Sequence, residues 1–302
     1  MGRRGWSVEG WVWLLLSLLP VALAVQYVHA YGRQSPYADQ WHISAEIAIQ
    51  AQQGTLHAAD LLAEYNGHRY LFTHSLTALN AAWFGWSIPL ETSSNLALMI
   101  INLGLLAVLL FQQAREALPL ALAPFAALIF WIVQDANLLV GYQNSWHVVI
   151  TGLLLALLIV QGGAVGWPRL LAAGICAALA TFSFGNGILI WGVMLLVLLA
   201  RGYRNPAHYA VWVLAALGCL WSYTRGSSIG VAGEGGEGLG SLRLQRLDLM
   251  LEFGLALLGS PFSADSRRVA VSVALLGVGA WVVNLLLLWR WRAAVAGGAG
   301  QA

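Results

Sequence analysis

Residues 95–113 read NLALMIINLGLLAVLLFQQ, a run without one charged side chain. Coiled as a helix at about 1.5 Å per residue, it covers the roughly 30 Å hydrocarbon core of a bilayer. Runs of the same kind recur on either side, at 10–31, 118–134, 147–162, 168–184, 186–201, 207–224 and 268–289, and with 95–113 they make eight expected spans. The composition agrees: of 302 residues 59% are hydrophobic and 9% charged, against about 25% charged in soluble domains. A water-soluble fold is excluded, and the expected class is all-α, a multi-pass transmembrane helical bundle. Two further apolar stretches, Leu71 to Ile88 and Leu249 to Phe262, are interrupted by His74, Asn80, Glu252 and Gly259, and read as amphipathic helices at the membrane interface.

The segment Met1 to Ala30 has the look of a signal peptide, with Arg3 and Arg4 before the apolar run from Trp11 to Val25. The many spans that follow favour an uncleaved first helix. Residues 168–201 would form a continuous helix of about 50 Å, too long for a bilayer, and Gly185 and Gly187 favour a turn within it. All fifteen basic residues are arginine, and the net charge of +2 offers no basic patch, so nucleic acid is not an expected partner. Cys176 and Cys219 each lie in an apolar run and read as packing residues.

With the N-terminus inside, eight spans put Arg3, Arg4, Arg115, Arg169, Arg201, Arg204, Arg290 and Arg292 in the cytoplasm together with both termini. Counting the two marginal helices as spans moves Arg115, Arg169, Arg201 and Arg204 outside, against the same rule. The chain then reads as a single transmembrane domain over 1–302, with an outer first loop at 32–94 and a Gly-rich outer loop at 225–247. Three polar segments, 32–74, 134–146 and 183–187, meet on the outer side, which holds six of the seven histidines and eleven of the thirteen acidic residues.

Asp39, in YADQWH, stands at the membrane surface before an expected helix over 40–53. It suits a general base for an acceptor hydroxyl, a ligand for a divalent cation on a phosphate, or a helix N-cap. Asp39, His42 and Glu46 share one helix face, a pattern compatible with a metal site and equally with a solvated face. Asn66, Gly67, His68 and Arg69 place an imidazole and a guanidinium at the surface, where Arg69 could grip a lipid phosphate or ordinary headgroups. Between two spans, Asp135, Asn137, Gln143 and Asn144 offer groups for sugar hydroxyls, while Tyr142 and Trp146 suit either sugar stacking or an aromatic belt. Asn186, in SFGNG, is a turn residue or a further contact. Walker, GxSxG and HExxH motifs are absent, which removes support for ATP, serine-hydrolase and zincin chemistry. The uncharged span cores disfavour a proton pump or an ion pathway.

This order of features resembles the GT-C class of integral membrane glycosyltransferases. The stretch YADQWHISAEIAIQAQQGTLHAADLLAEYNGHRYLF is similar to the first loop of bacterial membrane proteins related to that class, and QNSW and SFGNGILIW are similar to their later segments. The resemblance implies residence in a bacterial inner membrane among membrane lipids and transfer of a sugar from a polyprenyl-phosphate donor to a hydroxyl on the outer face, with a divalent cation as a candidate cofactor. Asp39 takes the catalytic role. Asn66, His68, Arg69, Asp135, Asn137, Gln143, Asn144 and Asn186 contact the substrates. The alternative is a lipid-binding, transport or scaffold protein that keeps the fold without the chemistry. The chain departs from the pattern at Gln40 and Gly67, where acidic residues are expected, and Asp135-Ala136-Asn137 is a degraded DxD-type motif.

Overall fold

A computed structural model describes residues 6–163, 165–225, 251–252, 255–256 and 266–298. The chain divides into two compact units, 1–236 and 237–302. In the first unit the helices are α1 (Val8–Tyr31), α2 (Gln40–Ile43), α3 (Ala45–Gln53), α4 (Leu71–Phe84), α5 (Ile88–Ala114), α6 (Leu118–Ile129), α7 (Asp135–Leu139), α8 (Asn144–Gln161), α9 (Trp167–Ser183), α10 (Leu189–Ala200) and α11 (Pro206–Thr224). A two-residue hairpin, β1 (Glu64–Tyr65) and β2 (His68–Arg69), precedes α4. The second unit carries α12 (Arg267–Gly298), where Arg267 Nε pairs with Glu252 Oε1 at 3.0 Å. Of the Gly-rich loop 225–247 only Arg225 is described, and the stretch 249–262 is described only at Leu251, Glu252, Leu255 and Ala256.

Among the described residues the protein is all-α apart from that hairpin. Among them three stretches are long and apolar enough to cross a membrane, α1, α5 and Gly141–Gln161, while Leu118–Ile129, Trp167–Ser183 and Gly185–Ala200 are apolar but shorter. Helix ends follow local chemistry. The Ser7 hydroxyl accepts from the Gly10 N–H to open α1, and the Asn205 side chain accepts from Ala207 N before Pro206 at the start of α11. Gly54 (φ +70°) and Gly85 (φ +67°) close α3 and α4 in the left-handed conformation. The predicted turn at 183–187 is present. A Cβ on Gly187 would stand 2.3 Å from the carbonyl carbon of Ala180, so only glycine fits there. Expected boundaries shift most at α5, which starts at Ile88 rather than 95, at α8, which starts at Asn144 rather than 147, at α6, which stops at Ile129 short of 134, and at α12, which runs to Gly298 rather than 289.

The bundle buries polar side chains among its apolar core clusters and turns apolar faces outward. Along α5, Glu91, Thr92, Asn95 and Asn102 are buried, whereas Ile100, Ile101 and Val108 face outward. The outward faces of α1, α9 and α11 are equally apolar, with Leu15, Leu19, Leu171, Leu214 and Leu217 exposed. An apolar exterior over buried hydrogen-bonding groups suits a hydrocarbon solvent, in which helices associate through close packing and hydrogen bonds. Asn95 Nδ2 donates to Val140 O at 2.8 Å, and Asn102 Nδ2 donates to His147 O at 3.0 Å while its Oδ1 accepts from Thr151 Oγ1 at 2.7 Å. Asn95 thereby satisfies a carbonyl where the chain leaves α7 and turns through Gly141–Gln143 into α8, and Asn102 satisfies one in the first turn of α8. Small residues set the α8–α9 approach: Gly152 and Ala156 face Ala173, Ala177 and Ala180 within one buried cluster.

Gly152 is the tightest point of that contact, since an added Cβ would lie 2.9 Å from the Ala180 Cβ and 3.0 Å from the Cys176 carbonyl oxygen. Gly152→Leu is expected to cost about 1–3 kcal/mol through overpacking, read as a lowered thermal unfolding midpoint in detergent. Gly104→Leu, at a position with open space around its Cα, should leave that midpoint unchanged.

Candidate active site

One end of the first unit gathers the irregular segments, and its organising element is the hairpin at 64–69. Asn66 (φ +50°) and Gly67 (φ +75°) take left-handed conformations, as a two-residue turn of mirror-image type requires, and pair Glu64 with Arg69 and Tyr65 with His68. The Asn-Gly dipeptide is therefore the turn itself. It aims His68 and Arg69 at the ends of α9 and α11.

Arg69 uses its guanidinium as a clamp. Its Nε donates to Tyr223 O at 3.1 Å, Nη2 to Arg225 O at 2.7 Å, and Nη1 to Leu62 O. Tyr223 returns the contact, its hydroxyl donating to Gly67 O at 3.1 Å. Two of these carbonyls lie at the C-terminal end of α11, where a cation complements the helix dipole. His68 stacks on Phe184 with ring centres 4.1 Å apart, and its Nδ1 is buried without a hydrogen-bond partner. Burial pushes this imidazole below its ordinary 6.5, with the Glu64 carboxylate opposing that shift. His74, on α4, is likewise lowered by burial, against the opposing pull of the Leu61 and Ile43 carbonyls.

Around Phe184 stands an aromatic wall. Tyr70 meets Phe184 at 5.9 Å and Tyr142 at 6.5 Å, and Trp146 lies 4.3 Å from Phe184 with 43% of its surface exposed. Asp39 is near enough to this wall for its charge to act on Tyr70 and Tyr142. It precedes α2 but makes no side-chain cap hydrogen bond, so the helix-cap reading is not realised. Its carboxylate lies beside the Tyr65 hydroxyl, which is raised by burial and then by the charge and hydrogen bond of Asp39. Tyr70 is pushed far up by burial first, then by Tyr142 and Asp39. A carboxylate set against phenols can take a proton from an incoming hydroxyl, and the exposed indole can stack on the apolar face of a sugar ring.

The remaining expected site residues do not join this group. Asp135 Oδ1 accepts from the Ala136 N–H at 2.7 Å and Asn137 Nδ2 donates to Gln134 Oε1 at 3.1 Å, both within their own turn. Asn144 is buried in the bundle, its Oδ1 accepting from Thr73 and its Nδ2 donating to Ser94 Oγ at 3.2 Å. Gln143 has a buried Oε1 without a partner, and Asn186 is exposed on the turn after α9. Asn66 is exposed at the hairpin tip. The expected metal set also fails to converge: His42 stacks on Tyr65 at 5.7 Å and Glu46 accepts from Gln50 Nε2 at 3.1 Å. Among the described residues no three His, Cys, Asp or Glu side chains are grouped to hold a metal ion, so Asp39, His42 and Glu46 do not fit a divalent cation.

Glu91 carries no role in the sequence pattern, and Gln40 stands there only as a departure from an expected acidic residue. Gln40 Nε2 donates to Glu91 Oε2 at 2.8 Å, joining the turn that carries Asp39 to α5. A signal was available: Glu91 is the one carboxylate between Glu64 and Glu116, inside an otherwise uncharged stretch.

Arg69→Ala leaves the Tyr223, Arg225 and Leu62 carbonyls without their donor and should cost about 1–3 kcal/mol, with faster amide exchange at 221–225. Arg69→Lys should not restore stability, because an ammonium cannot reach all three. The depressed His68 and His74 values predict a pH dependence. The unfolded chain takes up these protons first, so the contribution is complete above about pH 6.5 and is lost as pH falls toward the folded values. A fall in unfolding midpoint between pH 7.5 and 5 that becomes shallower in His68→Phe would match. No known protein family, curated protein or solved structure matches this chain.

Proposed function

We propose that this protein is a membrane-embedded transferase that moves a sugar from a polyprenyl-phosphate donor to an acceptor hydroxyl on the outer face of a bacterial inner membrane, within an eight-span arrangement like that of the GT-C class. The observation that carries the reading is the Asp39 carboxylate, free of any helix-cap duty, standing beside the Tyr65 hydroxyl and near Tyr70 and Tyr142. Asp39 takes the proton from the acceptor hydroxyl as it attacks the anomeric carbon, and the phosphate leaves with the electrons of the broken glycosidic bond. Trp146 and Tyr142 bind the sugar face. An apolar groove of about 640 Å³ between α9, α10 and α11, walled by Trp167, Trp191 and Trp212, suits a lipid chain.

A non-catalytic lipid-binding role is the second reading, favoured by that apolar groove and by an Arg69 guanidinium held by three backbone carbonyls rather than offered to the phosphate of a reacting donor. The two readings part on one experiment. Protein in nanodiscs is given a polyprenyl-phosphate hexose and a panel of hydroxyl acceptors, and Asp39→Asn is compared with the unmodified chain. The transferase reading predicts turnover that falls by at least about 100-fold in Asp39→Asn, the scale of a lost general base, with donor binding retained. Turnover unaffected by the substitution contradicts the role of Asp39. Donor binding without transfer to any acceptor favours the second reading.

A further inference from the structure

Glu91 is fully buried in the first turn of α5 and has no part in the chemistry above. Its carboxylate accepts three hydrogen bonds, all from neutral groups: Gln40 Nε2 at 2.8 Å, Thr77 Oγ1 at 2.6 Å and Trp86 Nε1 at 2.9 Å. Thr77 belongs to α4, Trp86 to the α4–α5 turn, and Gln40 to the turn that carries Asp39. The other amide atom of Gln40 is used as well, since Oε1 accepts from the Tyr37 N–H at 3.2 Å. One side chain therefore spans residues 37–40. At the centre of that turn Ala38 sits at φ +49°, a left-handed conformation that alanine adopts at a cost and keeps only where its surroundings enforce it. Gly141 closes the other side: a Cβ there would stand 2.5 Å from Gln40 Nε2 and 2.8 Å from Glu91 Oε2.

The pattern of donors demands a carboxylate. The Trp86 indole can only donate, and the Gln40 carbonyl is already occupied, so an amide at position 91 would set an NH2 against a donor. We propose that Glu91 is a positioning residue: acting through Gln40, its buried carboxylate locks the 37–40 turn so that Asp39 stands beside the Tyr65 hydroxyl rather than folding back to cap α2. The inference rests on the reading of Asp39 as the reactive carboxylate, but its geometry can be tested without a substrate.

The probe is a 3-fluorotyrosine at position 65 of the full chain in nanodiscs, with its phenol titrated by fluorine NMR. A carboxylate beside the phenol opposes its ionisation, so Asp39→Asn sets a lower reference midpoint. Gln40→Ala and Glu91→Gln are each expected to move the midpoint most of the way to that reference, whereas Ser75→Ala, elsewhere on α4, should leave it in place. An unchanged midpoint in Gln40→Ala overturns the proposal, and that variant decides alone should Glu91→Gln fail to fold. No shift in Asp39→Asn would also overturn it, because Asp39 would then not stand beside Tyr65. If Gln40→Ala shifts the midpoint while Asp39→Asn transfers sugar normally, the positioning stands and the transferase reading falls.

Discussion

In hydrocarbon a polar group without a partner has no water to turn to, and this constraint governs the first unit. Its helices turn Leu and Ile outward and keep Glu91, Thr92, Asn95, Asn102, Asn144 and Thr181 within. Some of these buried groups satisfy carbonyls where the backbone is irregular. The clearest case is the break between α7 and α8, where Thr92, Asn95 and Asn102 reach the carbonyls of Leu139, Val140 and His147. Without that break Tyr142 would continue a helix instead of meeting Tyr70. The aromatic wall exists because polar side chains on α5 support an interrupted backbone.

The same logic extends to the turn that carries Asp39. A carboxylate buried without a counter-cation is costly unless its acceptor sites are filled, and Glu91 fills them with an amide, a hydroxyl and an indole. The hairpin supplies the second support, with Arg69 gathering three carbonyls and Tyr223 binding Gly67 in return. Together they hold the ends of α4, α9 and α11 around Tyr70 and Phe184, near Asp39.

Much of this was legible in the sequence because hydrocarbon imposes length and apolarity directly on a chain. A helix lies in each expected stretch, three of the described stretches being long and apolar enough to cross a membrane, and the turn after α9 was marked by Gly185 and Gly187, the second of which packs against the Ala180 backbone. The start of α5 was missed because Glu91, Thr92, Ser93 and Ser94 look like loop residues until their partners are known. The hairpin was missed despite its Asn-Gly turn, since strands of two residues carry no alternating pattern. Arg69 read as a phosphate ligand because its acceptors at 223 and 225 lie far along the chain, and the metal set on Asp39, His42 and Glu46 read plausibly from spacing that the short α2 and the Tyr65 stack disperse. Sequence displays which groups are polar, but not which of them are already satisfied.

The proposed sugar transfer depends on the Asp39 carboxylate and the aromatic wall near it. The most direct measurement is an electron cryomicroscopy structure in nanodiscs with a non-hydrolysable polyprenyl-phosphonate sugar bound. The account predicts a sugar ring between Asp39 and the Tyr65, Tyr142 and Trp146 side chains, with the lipid chain running into the bundle. A headgroup bound away from Asp39, with that carboxylate facing only solvent, would contradict it.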